Sequence, residues 1–155
     1  VSGTRALDLI GEDLQLLVKH VPHARAIGLT VVAAEPGQIW LRVPYADFLV
    51  GNPETKVIHG GVITTLLDNG GGAAVMTALD ELRAVATLDL RIDYMKPATP
   101  GRDIIGHCHC HKLTRNVAFV RGTAYHDTPD DPIATAAMTF MVGANRTLPG
   151  LVRGA

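Results

Sequence analysis

Between residues 4 and 20 the apolar positions Leu7, Ile10, Leu14, Leu17 and Val18 recur every three or four residues, while Asp8, Glu12 and Asp13 fall elsewhere on the wheel. This predicts an amphipathic helix ended before Pro22. Residues 26–35 and 38–44 read as two strands joined by the turn pair Pro36-Gly37, the second alternating Ile39, Leu41 and Val43 with Trp40 and Arg42, and so predict a hairpin. Residues 48–58, with Gly51, Asn52 and Pro53, follow neither period and predict a loop. A long apolar run then predicts a helix beginning near Gly60 or Gly61 and reaching Leu79. Residues 84–95 alternate Leu88, Leu90, Ile92 and Tyr94 with Thr87, Asp89, Arg91 and Asp93, a half-buried strand stopped by Pro97 and Pro100-Gly101. Residues 102–113, 117–126 and 133–142 follow as strands separated by short turns, which predicts an antiparallel meander.

A helix that is apolar nearly all round must be covered on most of its sides. An α+β fold results, in which a curved antiparallel sheet wraps a long central helix. At 155 residues the chain holds one domain, divided as an N-terminal helix over residues 1–22, the core over 23–143 and a tail over 144–155.

Composition narrows the functional classes. A formal net charge of -1 leaves no broad basic surface for nucleic acid. Cys108 and Cys110 stand two apart, too near on a strand for an unstrained disulfide, and fit a reduced compartment. The start VSGTRALDLIGEDLQ lacks the basic-then-apolar order of a signal peptide, and no apolar run suggests a membrane span. The expectation is a cytoplasmic protein with neither membrane nor nucleic acid as partner.

Asp68 is the only charged residue between Gly60 and Leu79. On a wheel of about 100° per residue its face holds Gly61, Thr64, Thr65, Gly71, Gly72 and Val75, side chains that are small or hydroxylated where a solvated face would carry Lys, Glu or Gln. Gly70, Gly71 and Gly72 together cost a helix about 3 kcal/mol relative to alanine. Close approach of a backbone or ligand would offset that cost; a kink is the alternative.

His59-Gly60-Gly61 leads into this helix, where free N–H groups carry partial positive charge and glycine lets a carbonyl oxygen come near. Such an entrance suits an oxyanion. His59 is a candidate base or, more simply, a structural hydrogen-bonding residue. Gly60 and Asp68 are separated by about 12 Å of helix, so one reacting carbonyl reaches both only if they come from two chains. A catalytic reading therefore requires a two-fold dimer with shared sites.

The stretches HGGVITTLLDN and TLDLRIDYMKPA resemble those of the PaaI-like (phenylacetate-degradation type) hotdog-fold acyl-CoA thioesterases, over residues 49–142. The resemblance implies five or six antiparallel strands round the helix, dimers that associate into tetramers, and hydrolysis of an acyl-CoA thioester without cofactor or metal. It assigns Asp68 as the carboxylate that activates water or attacks the thioester, Gly60 as the backbone donor to the carbonyl, and Thr87 as a hydroxyl near the attacking water. Asn52 is similar to a carbonyl-binding asparagine, displaced by one residue. The triple glycine departs from the family's mixture of Ala, Ser and Gly.

Coenzyme A phosphates call for local cations; Lys96, Lys112, Arg115 and Arg121 are candidates, with Asn116 beside them. HCHCH, residues 107–111, sets three histidines against two cysteines on a strand, but no spacing marks further ligands, so no metal is expected. Two alternatives stand beside the hydrolase: a non-catalytic acyl-CoA binder, and a hydratase or dehydratase of the same fold.

Overall fold

The computed structural model describes residues 13–145. Most of the helix expected over residues 4–20 and the tail beyond residue 145 lie outside the described residues. What is described of that first helix is one turn, α1 (Leu16–Lys19). Pro22 opens another helix, α2 (Pro22–Ala26), because proline suits a first helical position where its missing N–H is not needed. Ala26 thus ends a helix where a strand was expected to begin. Gly28, with φ +74°, turns the chain, and β1 starts only at Thr30 (Thr30–Glu35). The Gln15 side chain donates to the Val31 carbonyl and accepts from its N–H, at 2.8 and 2.9 Å, tying α1 to β1.

β1 and β2 (Gln38–Val43) form the expected hairpin through Gly37, φ +77°. Thr77 accepts the Gly37 N–H at 3.0 Å and holds this turn against the central helix. The segment expected to be a loop contains a 3₁₀ turn (Asp47–Leu49) and a small hairpin of β3 (Val50–Asn52) and β4 (Val57–Ile58). Local bonds, rather than apolar period, build it: Asn52 Oδ1 accepts from the Glu54 N–H at 2.9 Å and its carbonyl from the Lys56 N–H at 2.8 Å.

The central helix α3 runs unbroken over Gly60–Ala78, so the glycines make no break in it. It is followed by β5 (Arg83–Tyr94), β6 (Ile104–Leu113), β7 (Val117–Tyr125) and β8 (Ala134–Asn145); β8 extends into the stretch expected to be tail. The strands form one antiparallel sheet in the order β1-β2-β6-β7-β8-β5. Only β6, β7 and β8 make a meander. The connection over residues 95–103 carries the chain away from β5, so β6 pairs with β2 while β5 pairs with β8 at the far edge.

Helix and sheet meet through holes that glycine leaves. A Cβ at Gly106 or Gly122 would lie 2.8 or 3.2 Å from Leu66 or Leu67, and one at Gly70 or Gly71 would lie 2.8 or 2.7 Å from Cys108 or Phe140. The cost of Gly70 and Gly71 is thus offset by side chains of the sheet seated against the helix backbone. Asp68 is carried on a helix fixed by this packing.

β5 departs from strict alternation. Thr87 pairs with Phe140 and Asp89 with Thr139, so Leu88 is an extra residue, a β-bulge. The bulge shifts the phase: Thr87, expected on the face opposite Leu90, Ile92 and Tyr94, turns instead toward α3 with them. The strand is also more open than expected, with Leu88, Tyr94 and Met95 more than half exposed. A further bulge at His111 interrupts the HCHCH alternation. His107 stacks on Trp40 at 4.4 Å and bonds Gln38 at 3.0 Å, and burial lowers its pKa. Among the described residues no group of three or more His, Cys, Asp or Glu is arranged to hold a metal.

Candidate active site

The entrance of α3 is capped by its own histidine. His59 Nδ1 accepts the Gly61 N–H at 2.8 Å, and its carbonyl accepts the Val62 N–H at 2.9 Å. With Nδ1 so used, His59 acts as the helix N-cap. The Gly60 N–H has no hydrogen-bond partner among the described residues. On its other side the Gly60 carbonyl accepts from Tyr94 Oη at 2.9 Å and Thr64 Oγ1 at 3.3 Å, the two hydroxyls lying 2.8 Å apart. Tyr94, from β5, therefore clamps the first turn, and it was not singled out as a site residue from sequence. Its signal was its place in the Leu90, Ile92, Tyr94 face of β5.

Asp68 lies two turns further along, half-buried, and accepts the Thr87 hydroxyl at 2.7 Å. Thr87 fixes the direction of one carboxylate oxygen. The wheel grouped Asp68 with six neighbours, but only part of that face is open: Gly61 is exposed and Thr64, Thr65 and Gly72 are half-buried, whereas Gly71 and Val75 are buried. A cleft of about 270 Å³ begins at Asp68, Asn69 and Thr87 and continues past Gly72 to Met76, Val85 and Phe140, with Leu17 and Val21 of the N-terminal segment. Next to the helix entrance lies another, of about 410 Å³, lined by Ile27, Phe48, Val50, His59, Gly61 and Thr65 among others. Phe48 stands there 73% exposed.

The remaining candidates are dispersed. Asn52 spends its side-chain oxygen on the hairpin turn, leaving the amide nitrogen for any substrate contact. Lys96 lies near Gly60 and Tyr94 and is ion-paired to Asp131. Arg115 and Asn116 sit at the β6–β7 turn, where their carbonyls accept from Arg83 and the Val142 N–H. Lys96 and that turn lie toward opposite ends of the twelve-residue β5, about 40 Å apart along a strand, so within one protomer they do not serve one phosphate. Lys112 and Arg121 are exposed on β6 and β7. Cys108, beside Gly70, is fully buried; that burial, with the Asp68 charge second, pushes its thiol up to about 12.

A single long helix cradled by a six-stranded antiparallel sheet, with an acid and a hydroxyl meeting on the helix flank, defines a hotdog-fold protein. The chain belongs to the thioesterase superfamily, whose sequence profile matches residues 55–133. It is 31% identical to the medium/long-chain acyl-CoA thioesterase YigI of Salmonella typhimurium over 92% of this chain and 97% of that one. Among solved structures, a Pseudomonas aeruginosa protein superposes with a TM-score of 0.77 at 42% identity, covering 88% of this chain and 98% of the other. The PaaI protein of the Escherichia coli phenylacetic acid degradation operon has a TM-score of 0.71 at 14% identity, over 80% and 86%, a likeness of fold alone.

Proposed function

We propose that the protein hydrolyses acyl-CoA thioesters, with Asp68 as the reacting carboxylate and the Gly60 N–H of a second copy as the donor to the thioester carbonyl. The observation that carries this reading is the Thr87–Asp68 pair at 2.7 Å, its acid on the same helix as an amide, at Gly60, that has no partner among the described residues. Negative charge grows on the carbonyl oxygen as it is attacked, and an amide at a helix N-terminus stabilises it. An ionised carboxylate opposite either takes a proton from water or adds to the carbonyl carbon, and the thiolate of coenzyme A leaves. Relatives named as medium/long-chain acyl-CoA thioesterases support the substrate class.

Gly60 and Asp68 lie about 12 Å apart along one helix, too far for one carbonyl, so each site is shared by two subunits. The exposed edge of β5, with Leu88 and the adjoining Met95 each 56% exposed, supports pairing with a second copy, since an open apolar edge is a template for association. A dimer of such dimers remains part of the proposal, as does Lys96 as a cation for the coenzyme A phosphates.

The test is thiol release from a panel of acyl-CoAs. Asp68→Asn is expected to lose about a hundredfold or more in kcat while keeping its oligomeric state. Normal turnover by a folded, dimeric Asp68→Asn, or full activity of an isolated monomer, would end the proposal.

A further inference from the structure

Three adjacent glycines in α3 face different surroundings. Gly70 and Gly71 are filled against Cys108 and Phe140 at 2.8 and 2.7 Å, distances no real Cβ tolerates. At Gly72 an added Cβ would meet only Phe140, at 3.7 Å, an ordinary contact. Core packing therefore does not demand glycine at 72, although a helix is weakened by it. What Gly72 does face is the cleft that begins at Asp68 and Thr87. It stands four residues after Asp68, one turn down the same helix face.

The walls beyond it are apolar: Ala73, Met76, Val85 and Phe140, with Leu17 and Val21 contributed by the segment before β1. Val21, which lines the cleft, is 37% exposed. Leu17 and Val21 lie outside residues 55–133, the stretch matched by the superfamily. One end of the cleft is polar and carries the reacting acid; the rest suits a hydrocarbon.

We infer that this cleft takes the acyl chain, that Gly72 sets its bore next to the reacting carbon, and that Leu17 and Val21 limit its length. The inference rests on the thioesterase reading and adds the residues that select the substrate. A straight chain lying against the helix passes Gly72 in its first few carbons, so any side chain there obstructs long acyl groups more than acetyl. Met76, unbranched and adaptable, lets the far part accommodate chains of differing length.

The experiment measures kcat/KM for acetyl-, octanoyl- and palmitoyl-CoA in the full chain and in Gly72→Ala, Gly72→Val and Val21→Phe. In Gly72→Val the palmitoyl-to-acetyl ratio is expected to fall about tenfold or more, with Gly72→Ala intermediate and melting higher than the parent. Val21→Phe, at a partly exposed position, should lower the palmitoyl-to-octanoyl ratio and serves if Gly72→Val does not fold. Ratios unchanged in Gly72→Ala and Val21→Phe, or all three substrates slowed by one common factor, would overturn the inference while leaving the hydrolase standing. A parent protein inert toward every acyl-CoA would remove the thioesterase reading and this inference together.

Discussion

Replacing Gly71 and Gly72 one at a time by alanine should move stability in opposite directions, although the two are neighbours in one helix. Each replacement gains about 1 kcal/mol of helix propensity. At Gly71 the new methyl would lie 2.7 Å from Phe140 Cζ and 2.8 Å from Met138 Sδ. Met138 can bend, but Phe140 is 2% exposed and its ring cannot withdraw. Overpacking of this kind costs about 3 kcal/mol at the upper end of its usual range, so Gly71→Ala should be about 2 kcal/mol less stable than the parent. At Gly72 the nearest atom is 3.7 Å away, so the propensity gain survives and Gly72→Ala should be about 1 kcal/mol more stable. The pair should thus be split by about 3 kcal/mol, or roughly 6–12 °C in Tm for a chain of this size. Urea unfolding followed by circular dichroism, at one fixed protein concentration, measures both. If both variants gain about 1 kcal/mol, the glycines are merely weak helix formers and the hole-filling account of the helix–sheet contact is wrong.

Tyr94→Phe removes the hydroxyl that holds the Gly60 carbonyl at 2.9 Å. Loss of about 1 kcal/mol of positioning should lower kcat roughly fivefold with KM nearly unchanged, and steady-state kinetics giving the parent kcat would refute the clamp. The Cys108 thiol has a folded-state pKa raised from 9.0 to about 12, so its stabilising contribution is complete below pH 9 and is lost as pH climbs from there toward 12. At pH 10 this group alone should cost roughly 1 kcal/mol relative to pH 7, and Cys108→Ala should lack that increment in denaturant titrations at the two pH values. Equal pH dependence in parent and variant would show that the thiol ionises freely.

The apolar run that became α3, the isolated Asp68 within it, the glycine entrance and the run of late strands were all legible in the chain, because periodicity and charge exclusion are local properties. The motif resemblance added Thr87 as a partner in chemistry. The pairing of Thr87 with Asp68 was not readable, since strict alternation places Thr87 with Asp89 and Arg91; only the ladder with β8 creates the Leu88 bulge that turns it inward. Likewise, residues 48–58 show no period because side-chain-to-backbone bonds at Asn52 build their hairpin.

Sequence by itself thus determined which residues lie on the central helix and which one carries charge there, since those follow from spacing along a single element. Tertiary structure decided that β5 lies beside β8 rather than β6, that two of the three glycines are filled by Cys108 and Phe140, and that the third opens onto the cleft. The physical reason is that contacts between distant segments depend on register and on the volumes of facing side chains, and neither quantity is written in the periodicity of one segment.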